Sequence, residues 1–461
     1  MTGEAQPLAR ERLVPPPVIG DPPELRTPEV HRYRLANGLR VLVVEQRGLP
    51  IVDMQLVIRT GAATDGADFA GLASLAVDLL DEGAGNRSAI DIAESIEDLG
   101  AALSSGVFWD DSALSLHVHT DRITPALAIL ADIVIRPTIP QVDFERKQRE
   151  RLTALLQERE EPRILAARAF GDVVFGSAHP YGRPLHGSRR SVERFTREHL
   201  VAFHKQSVRP GNAFLVVVGD VRSDAVVELL ELTFRGWTDA PAPVAPVLDP
   251  PPRQPTAIHV VDRPGSGQSE VRVGCVGVPR STADYFSLLV MNTILGGSFT
   301  SRLNLNLRQD KGWTYGASSS FGFRRSAGPF TVSTAVDTAV TASAVAEIFE
   351  EIAGLRERLV PADELARAQS YIALGLPRSF ETTADIAAHV AELEIYGLGD
   401  DYFDGYVRRV RDVAAGDVLR VAQAYLDPSA MAVVIAGDLA QIQKPLNALG
   451  IGPVISRPAE D

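Results

Sequence analysis

The chain repeats itself. Pro210-Gly-Asn-Ala-Phe-Leu-Val-Val-Val-Gly-Asp220 returns as Pro428-Ser-Ala-Met-Ala-Val-Val-Ile-Ala-Gly-Asp438, with proline, eight residues and Gly-Asp in each copy, at a shift of 218 residues (210 to 428). A helical pattern precedes each copy, over 196–205 and 415–426. Between the copies, residues 238–253 carry Pro241, Pro243, Pro246 and Pro250 to Pro252, the composition of a stiff linker. A chain of 461 residues is also too long for one compact core. The economical reading is a duplicated α+β unit of about 200 residues. It divides the chain into a proline-rich arm (1–30), an N-terminal domain (31–237), a linker (238–256) and a homologous C-terminal domain (257–461). Each domain is expected to be a mainly antiparallel sheet covered by helices, and the linker suits hinged halves.

Local signals fill in the first unit. Asn37-Gly38 between strand-forming runs predicts a hairpin with a type I′ turn. A strand is expected over 51–60 and a helix over 70–81, where Leu72, Leu75, Ala76, Leu79 and Leu80 follow helical spacing. Ser88 is a plausible N-cap for a second helix reaching residue 99, with Asp91 in its first turn. Strands at 101–107 and 112–119 and a long charged helix over 140–161 complete it. In the second unit a helix is expected near 285–295, followed by Gly296-Gly297 and a strand from 313 toward 323. The Gly-Gly pair lacks the Gly-Lys-Ser/Thr of a phosphate loop.

Composition excludes several functions. A net charge of −13 argues against nucleic acid or an anionic membrane as a general partner, and leaves room for a mild preference for cationic peptides. Cys275, the single cysteine, cannot form an internal disulfide and sits in an apolar run, as a small buried hydrophobe would. No apolar stretch approaches the ~20 residues of a membrane span. The arm lacks the apolar core of a signal peptide, which reads as cytoplasmic by default; prior removal of a signal would make the protein periplasmic. His117-x-His119 faces one side of its strand as a candidate ligand pair, but a half-exposed strand pair is the plainer reading. His199 and His204 do not share a helix face, and His179 in His-Pro-Tyr-Gly reads as a loop residue.

Several stretches in order carry a family resemblance. They are Leu35-Ala-Asn-Gly-Leu-Arg-Val41, Gly71-Leu-Ala-Ser-Leu-Ala-Val-Asp-Leu-Leu-Asp-Glu-Gly83, Leu130-Ala-Asp-Ile133, His179-Pro-Tyr-Gly182, Gly296-Gly-Ser-Phe-Thr-Ser-Arg-Leu303 and Leu307-Arg-Gln-Asp-Lys-Gly-Trp-Thr-Tyr315. Together they resemble the insulinase/pitrilysin peptidases, the inverzincins with His-x-x-Glu-His on a helix. The resemblance implies two homologous α+β domains forming half of a clamshell around a peptide chamber. It also implies zinc held by two histidines and a distant Glu, with the motif Glu as general base. Here Ser74, Val77 and Asp78 stand at the His, Glu and His positions, and the distant ligand position falls on Ala154. A shift of one turn would bring Glu150 or Glu158 there without restoring the histidines.

The other half of the family site is intact. Arg308 and Tyr315 match the Arg/Tyr pair of the C-terminal domain, which in active relatives reaches a peptide lying on the zinc domain. The resemblance therefore implies the non-zinc subunit of a heterodimeric zinc endopeptidase, like the bacterial pairs and the mitochondrial processing peptidase. Such a chain would hold no metal itself, with zinc in a homologous partner bearing His-x-x-Glu-His. It would bind peptide substrate, be inactive alone, and use Arg308 and Tyr315 in trans for substrate binding and transition-state stabilisation. Two other readings compete: a structural scaffold subunit like the respiratory core subunits that share the fold, and a stand-alone peptide-binding pseudo-peptidase.

Overall fold

The computed structural model describes residues 27–238, 240 and 247–458. Most of the arm and residues 239 and 241–246 of the linker lie outside that set. The first half builds β1 (His31–Arg34), β2 (Arg40–Glu45), β3 (Ile51–Ile58), the small pair β4 (Gly83–Ala84) and β5 (Arg87–Ser88), β6 (Ala102–Val107), β7 (Ser112–His119) and β8 (Ala213–Gly219). The second builds β9 (Ala257–Asp262), β10 (Gln268–Val276), β11 (Ala317–Phe321), β12 (Pro329–Asp337), β13 (Ala432–Gly437) and β14 (Val454–Arg457). The two six-stranded sheets run β1-β2-β8-β3-β7-β6 and β14-β9-β13-β10-β12-β11. Apart from the outermost β1 and β14 the orders superimpose strand for strand. In each, the repeated Pro-to-Asp segment is a central strand, β8 or β13, parallel to one neighbour and antiparallel to the other. These strands are continuous apolar runs because both their faces are covered.

What covers them ties the halves together. One face of the first sheet packs on α3 (Ile123–Ile135) and on the helix Ser223–Thr233, burying Val41, Met54, Leu56, Leu116 and Leu215 with Leu127, Leu130 and Leu230. Its other face, with Leu42, Val44, Phe214, Val216 and Val218, packs on Ile386, Ala387, Val390 and Ala391 of the helix Thr383–Tyr396, which belongs to the second half. The exchange is reciprocal. In the first half, α1 (Leu72–Val77), α2 (Ala89–Asp98), α3 and α4 (Gln141–Glu158) are followed by α5 (Pro162–Phe175). Leu165 and Ala166 of α5 pack on Val261 and Ala436 of the second sheet. Gly274 admits Phe170 of α5 so closely that an added Cβ would meet its ring at 3.0 Å. The halves are interlocked, which differs from the hinge that the proline-rich linker suggested.

Two local expectations also change. The Asn37-Gly38 turn joins β1 to β2, but only Gly38 is left-handed, at φ 93°. Gly38 N–H donates to Leu35 O at 2.9 Å, and Leu35 N–H to Leu39 O at 2.9 Å. This is a type I turn followed by a left-handed glycine. Asn37 leaves the left-handed region because its side chain is engaged, accepting from Leu39 N–H and donating to Phe234 O at 3.0 Å. The helix expected over 70–81 is α1, six residues long, continued by turns as far as Glu82. Ser88, by contrast, caps α2 in a reciprocal box with Asp91.

Candidate functional site

The start of α1 is set by close backbone approach. Gly71 is left-handed (φ 90°), and a Cβ on it would meet Gly187 N at 2.6 Å. Asp65 supplies the missing N-terminal acceptor, taking the Gly71 and Ala73 N–H groups at 2.9 and 3.1 Å. Burial pushes the Asp65 carboxyl up to about 7 despite those bonds. The same close packing brings His186 beside the helix.

Ser74 and Asp78 then meet a residue that sequence reasoning missed. Arg151 of α4 donates to Ser74 Oγ at 3.1 Å and to His186 O at 3.2 Å, and it pairs with the Asp78 carboxylate. Ser74 Oγ lies 3.0 Å from His186 Nδ1. Since that oxygen accepts from Arg151, its own proton points to the imidazole. Burial, and then the Arg151 charge, hold the His186 pKa below its usual value, which keeps the ring neutral. Val77 is buried and has no base to offer. Ala154 lies one turn beyond Arg151 on α4, and the Arg151 side chain, only 13% exposed, reaches into this region from the preceding turn. Glu150 is committed to Arg146 at 2.9 Å, and Glu158 lies 3.7 Å from Arg168.

These residues do not fit zinc. A fixed guanidinium lies between the two positions where the family carries histidines, and the one carboxylate there is already paired. The sequence places Arg151 one turn before Ala154 on α4, but nothing in that spacing shows that its guanidinium reaches Ser74 and Asp78.

The remaining histidines are scattered. His117 Nδ1 bonds Asp53 at 2.9 Å and His119 Nδ1 bonds Asp121 at 2.6 Å, so the strand pair is divided between two acids. His204 Nε2 meets Val134 O at 2.8 Å, His199 completes the N-terminal box of the helix Arg197–Ser207, and His179 accepts from Tyr181 N–H. Among the described residues no group of three or more His, Cys, Asp or Glu is placed to hold a metal ion. Cys275 lies 3.6 Å from Tyr425 O, with its thiol pushed up to about 11 by burial.

Arg308 and Tyr315 are built differently. The helix Tyr285–Asn292 widens into π-helical turns over Thr293–Gly297, and a second wide turn spans Asn304–Asp310. A Cβ on Gly296 would sit 2.4 Å from Ser319 N of β11, and one on Gly297 would sit 2.9 Å from the Asn292 amide. The Gly-Gly pair is thus required by packing against that strand. Asn304 clamps the start of β11, accepting from Ala317 N–H and donating to Ala317 O at 2.7 Å.

The neighbouring cations on this frame are paired. Arg302 forks onto Glu364 with two 2.7 Å bonds, and Lys311 bonds Glu347 at 2.7 Å. Arg308 is the exception. Its guanidinium stacks 4.2 Å from the Phe299 ring centroid, and no carboxylate among the described residues pairs with it, Asp310 included. Tyr315, just beyond left-handed Gly312, is 94% exposed.

Comparison with known proteins finds relatives of both halves. Residues 40–170 match the family described as insulinase (peptidase family M16), and residues 194–372 match the peptidase M16 inactive domain. An uncharacterized zinc protease of Mycobacterium leprae is 27% identical over 361 residues, covering 76% of this chain and 78% of its own length. One from Rickettsia bellii is 23% identical over 407 residues, covering 87% and 96%. The crystal structure of a peptidase M16 inactive domain from Pseudomonas fluorescens matches with a TM-score of 0.83 at 26% identity, covering 89% of this chain and 98% of that one. A Helicobacter pylori protease shares the fold, with a TM-score of 0.83 at 19% identity, covering 89% of this chain and 100% of that one. With both halves matched in order by models of one family and the fold shared over 89% of the chain, the chain belongs to the insulinase (M16) peptidase family.

Proposed function

We propose that this chain is the zinc-free subunit of a heterodimeric zinc endopeptidase, paired with a homologous subunit that carries His-x-x-Glu-His. The observation that carries the reading is the state of Arg308 and Tyr315. Arg308 stands on the second wide helical turn and Tyr315 just before β11, and neither has a polar partner among the described residues. In the pair, zinc in the partner would polarise the scissile carbonyl and lower the pKa of its bound water. Arg308 would fork onto a substrate carbonyl or carboxylate. The Tyr315 O–H would donate to the carbonyl oxygen as it gains charge. The Ser74–Asp78–Arg151 cluster would have no catalytic part.

The test measures peptidase activity and zinc content of this chain, of an M16 homologue from the same organism that retains His-x-x-Glu-His, if its genome encodes one, and of the mixture. Activity confined to the mixture, with zinc only in the homologue, is the expected result. A mixture no more active than the homologue alone would overturn the proposal and favour a scaffold role.

A further inference from the structure

A cleft of about 640 Å³ lies at the seam between the halves, away from α1 and from Arg308. Arg32, Arg40 and Arg59 reach it from the first sheet, and Arg325, Glu394 and Tyr396 from the second half. Three of these arginines converge on one carboxylate. Arg32 bonds Glu394 Oε2 at 2.8 Å, Arg59 bonds Oε1 at 2.7 Å, and Arg40 bonds Oε1 as well. Arg32 also forks onto Asp400 at 2.6 and 3.0 Å. Arg325 has no ion pair among the described residues, and Arg59 Nε is buried without an acceptor.

Four guanidiniums therefore face two carboxylates. The carbonyl end of the helix Thr383–Tyr396 adds roughly half a negative charge and accepts from Arg59 at 3.2 Å, which still leaves an excess of more than one positive charge. Nearby acids do not remove it. The Asp110 carboxylate keeps its charge while accepting from Tyr181 O–H and Arg325 N–H, but the Arg324 guanidinium, which does not line the cleft, lies in its field and opposes it. Burial, and then Asp110, push Asp111 up to about 7 against the opposing Arg325 charge. Burial and the neighbouring Arg40 charge already hold the Arg59 pKa below its usual value.

We propose that this cleft binds a polyphosphate group, either inorganic pyrophosphate or the phosphate chain of a nucleotide. Guanidinium forks match phosphate oxygens in pairs, and a ligand of charge two or more supplies the missing counter-charge. The cleft has the size of a small-molecule site, large enough for a nucleoside as well. A ligand there would touch both halves at once.

The test is calorimetric titration of the full chain with pyrophosphate, ATP and adenosine at fixed ionic strength, repeated on Arg325→Ala and Arg40→Gln. Arg325 makes no ion pair among the described residues, so its alanine variant should keep the unliganded melting temperature. Saturable one-to-one binding of pyrophosphate or ATP, none of adenosine, and a loss of about tenfold or more in affinity in both variants are expected. Equal affinity for pyrophosphate and ATP would assign inorganic polyphosphate; tighter ATP would assign a nucleotide. Absence of saturable binding to the wild-type chain, or undiminished binding in Arg325→Ala, would overturn the proposal.

Discussion

A guanidinium set between Ser74 and Asp78 keeps α1 against α4 without a metal, because it satisfies a hydroxyl, a carboxylate and the His186 carbonyl together. Replacing Arg151 with methionine keeps much of the volume and leaves those acceptors bare. The expected loss is about 1–3 kcal/mol in urea unfolding, and an unchanged midpoint would show the ion pair to be fully solvated. The same geometry limits reconstruction of the metal site. Ser74→His, Val77→Glu and Asp78→His should not bind zinc, and adding Ala154→Glu should succeed only once Arg151 is also neutralised. Zinc content after dialysis decides this; metal in the variant that retains Arg151 would show that the guanidinium can swing clear. At the other site, Arg308→Ala and Tyr315→Phe should leave stability unchanged. Each should lower turnover of the reconstituted pair by about 2.7–4 kcal/mol in the transition state, the usual cost of one lost oxyanion donor. The empty metal positions could be read from the sequence because ligands are recognised one residue at a time. Arg151 could not, since its reach depends on side-chain length and on how α4 packs.

Among the elements, α1 depends on a carboxyl group far from its own sequence pattern. Asp65 is 5% exposed, and its pKa lies near 7 against an ordinary 3.8, with burial as the main cause. An acid whose pKa is raised by folding binds more protons folded than unfolded between those values. Its contribution is therefore complete below about pH 4 and is lost as pH rises through 7, by at most about 1.4 kcal/mol per pH unit. Asp65→Asn keeps an acceptor for the helix start and removes the titration. The stability difference between wild type and this variant should fall from pH 4.5 to pH 7.5 in urea midpoints; a constant difference would place the Asp65 pKa at its ordinary value. The other elements divide by the kind of signal they leave. The duplicated strands β8 and β13 and the Ser88 box were legible because period and capping are local. The turn at Asn37 and the shortness of α1 were not, because Phe234 and the 186–187 loop, both distant in sequence, decide them.

On the scale of the molecule, the exchanged helices decide what can move. Opening the two halves would strip Ile386, Ala387, Val390 and Ala391 from Leu42, Val44, Phe214, Val216 and Val218, all of them buried. Each large side chain so exposed costs about 1.5–3 kcal/mol, and five of them already match the 5–15 kcal/mol that holds a typical domain folded. The second sheet would lose α5 at the same time. Clamshell motion in the proposed pair therefore belongs between subunits, and the proline-rich linker serves as a connection whose integrity matters little once the chain has folded. A protease site inserted at 241–246 and cut after folding should leave two fragments that co-elute at the intact mass and melt within a few degrees of the uncut chain. The halves expressed apart should be insoluble, each presenting an uncovered sheet face. Spontaneous separation of the cut fragments without denaturant would mean that the exchanged helices are weakly held, and would return the hinge to the middle of the chain.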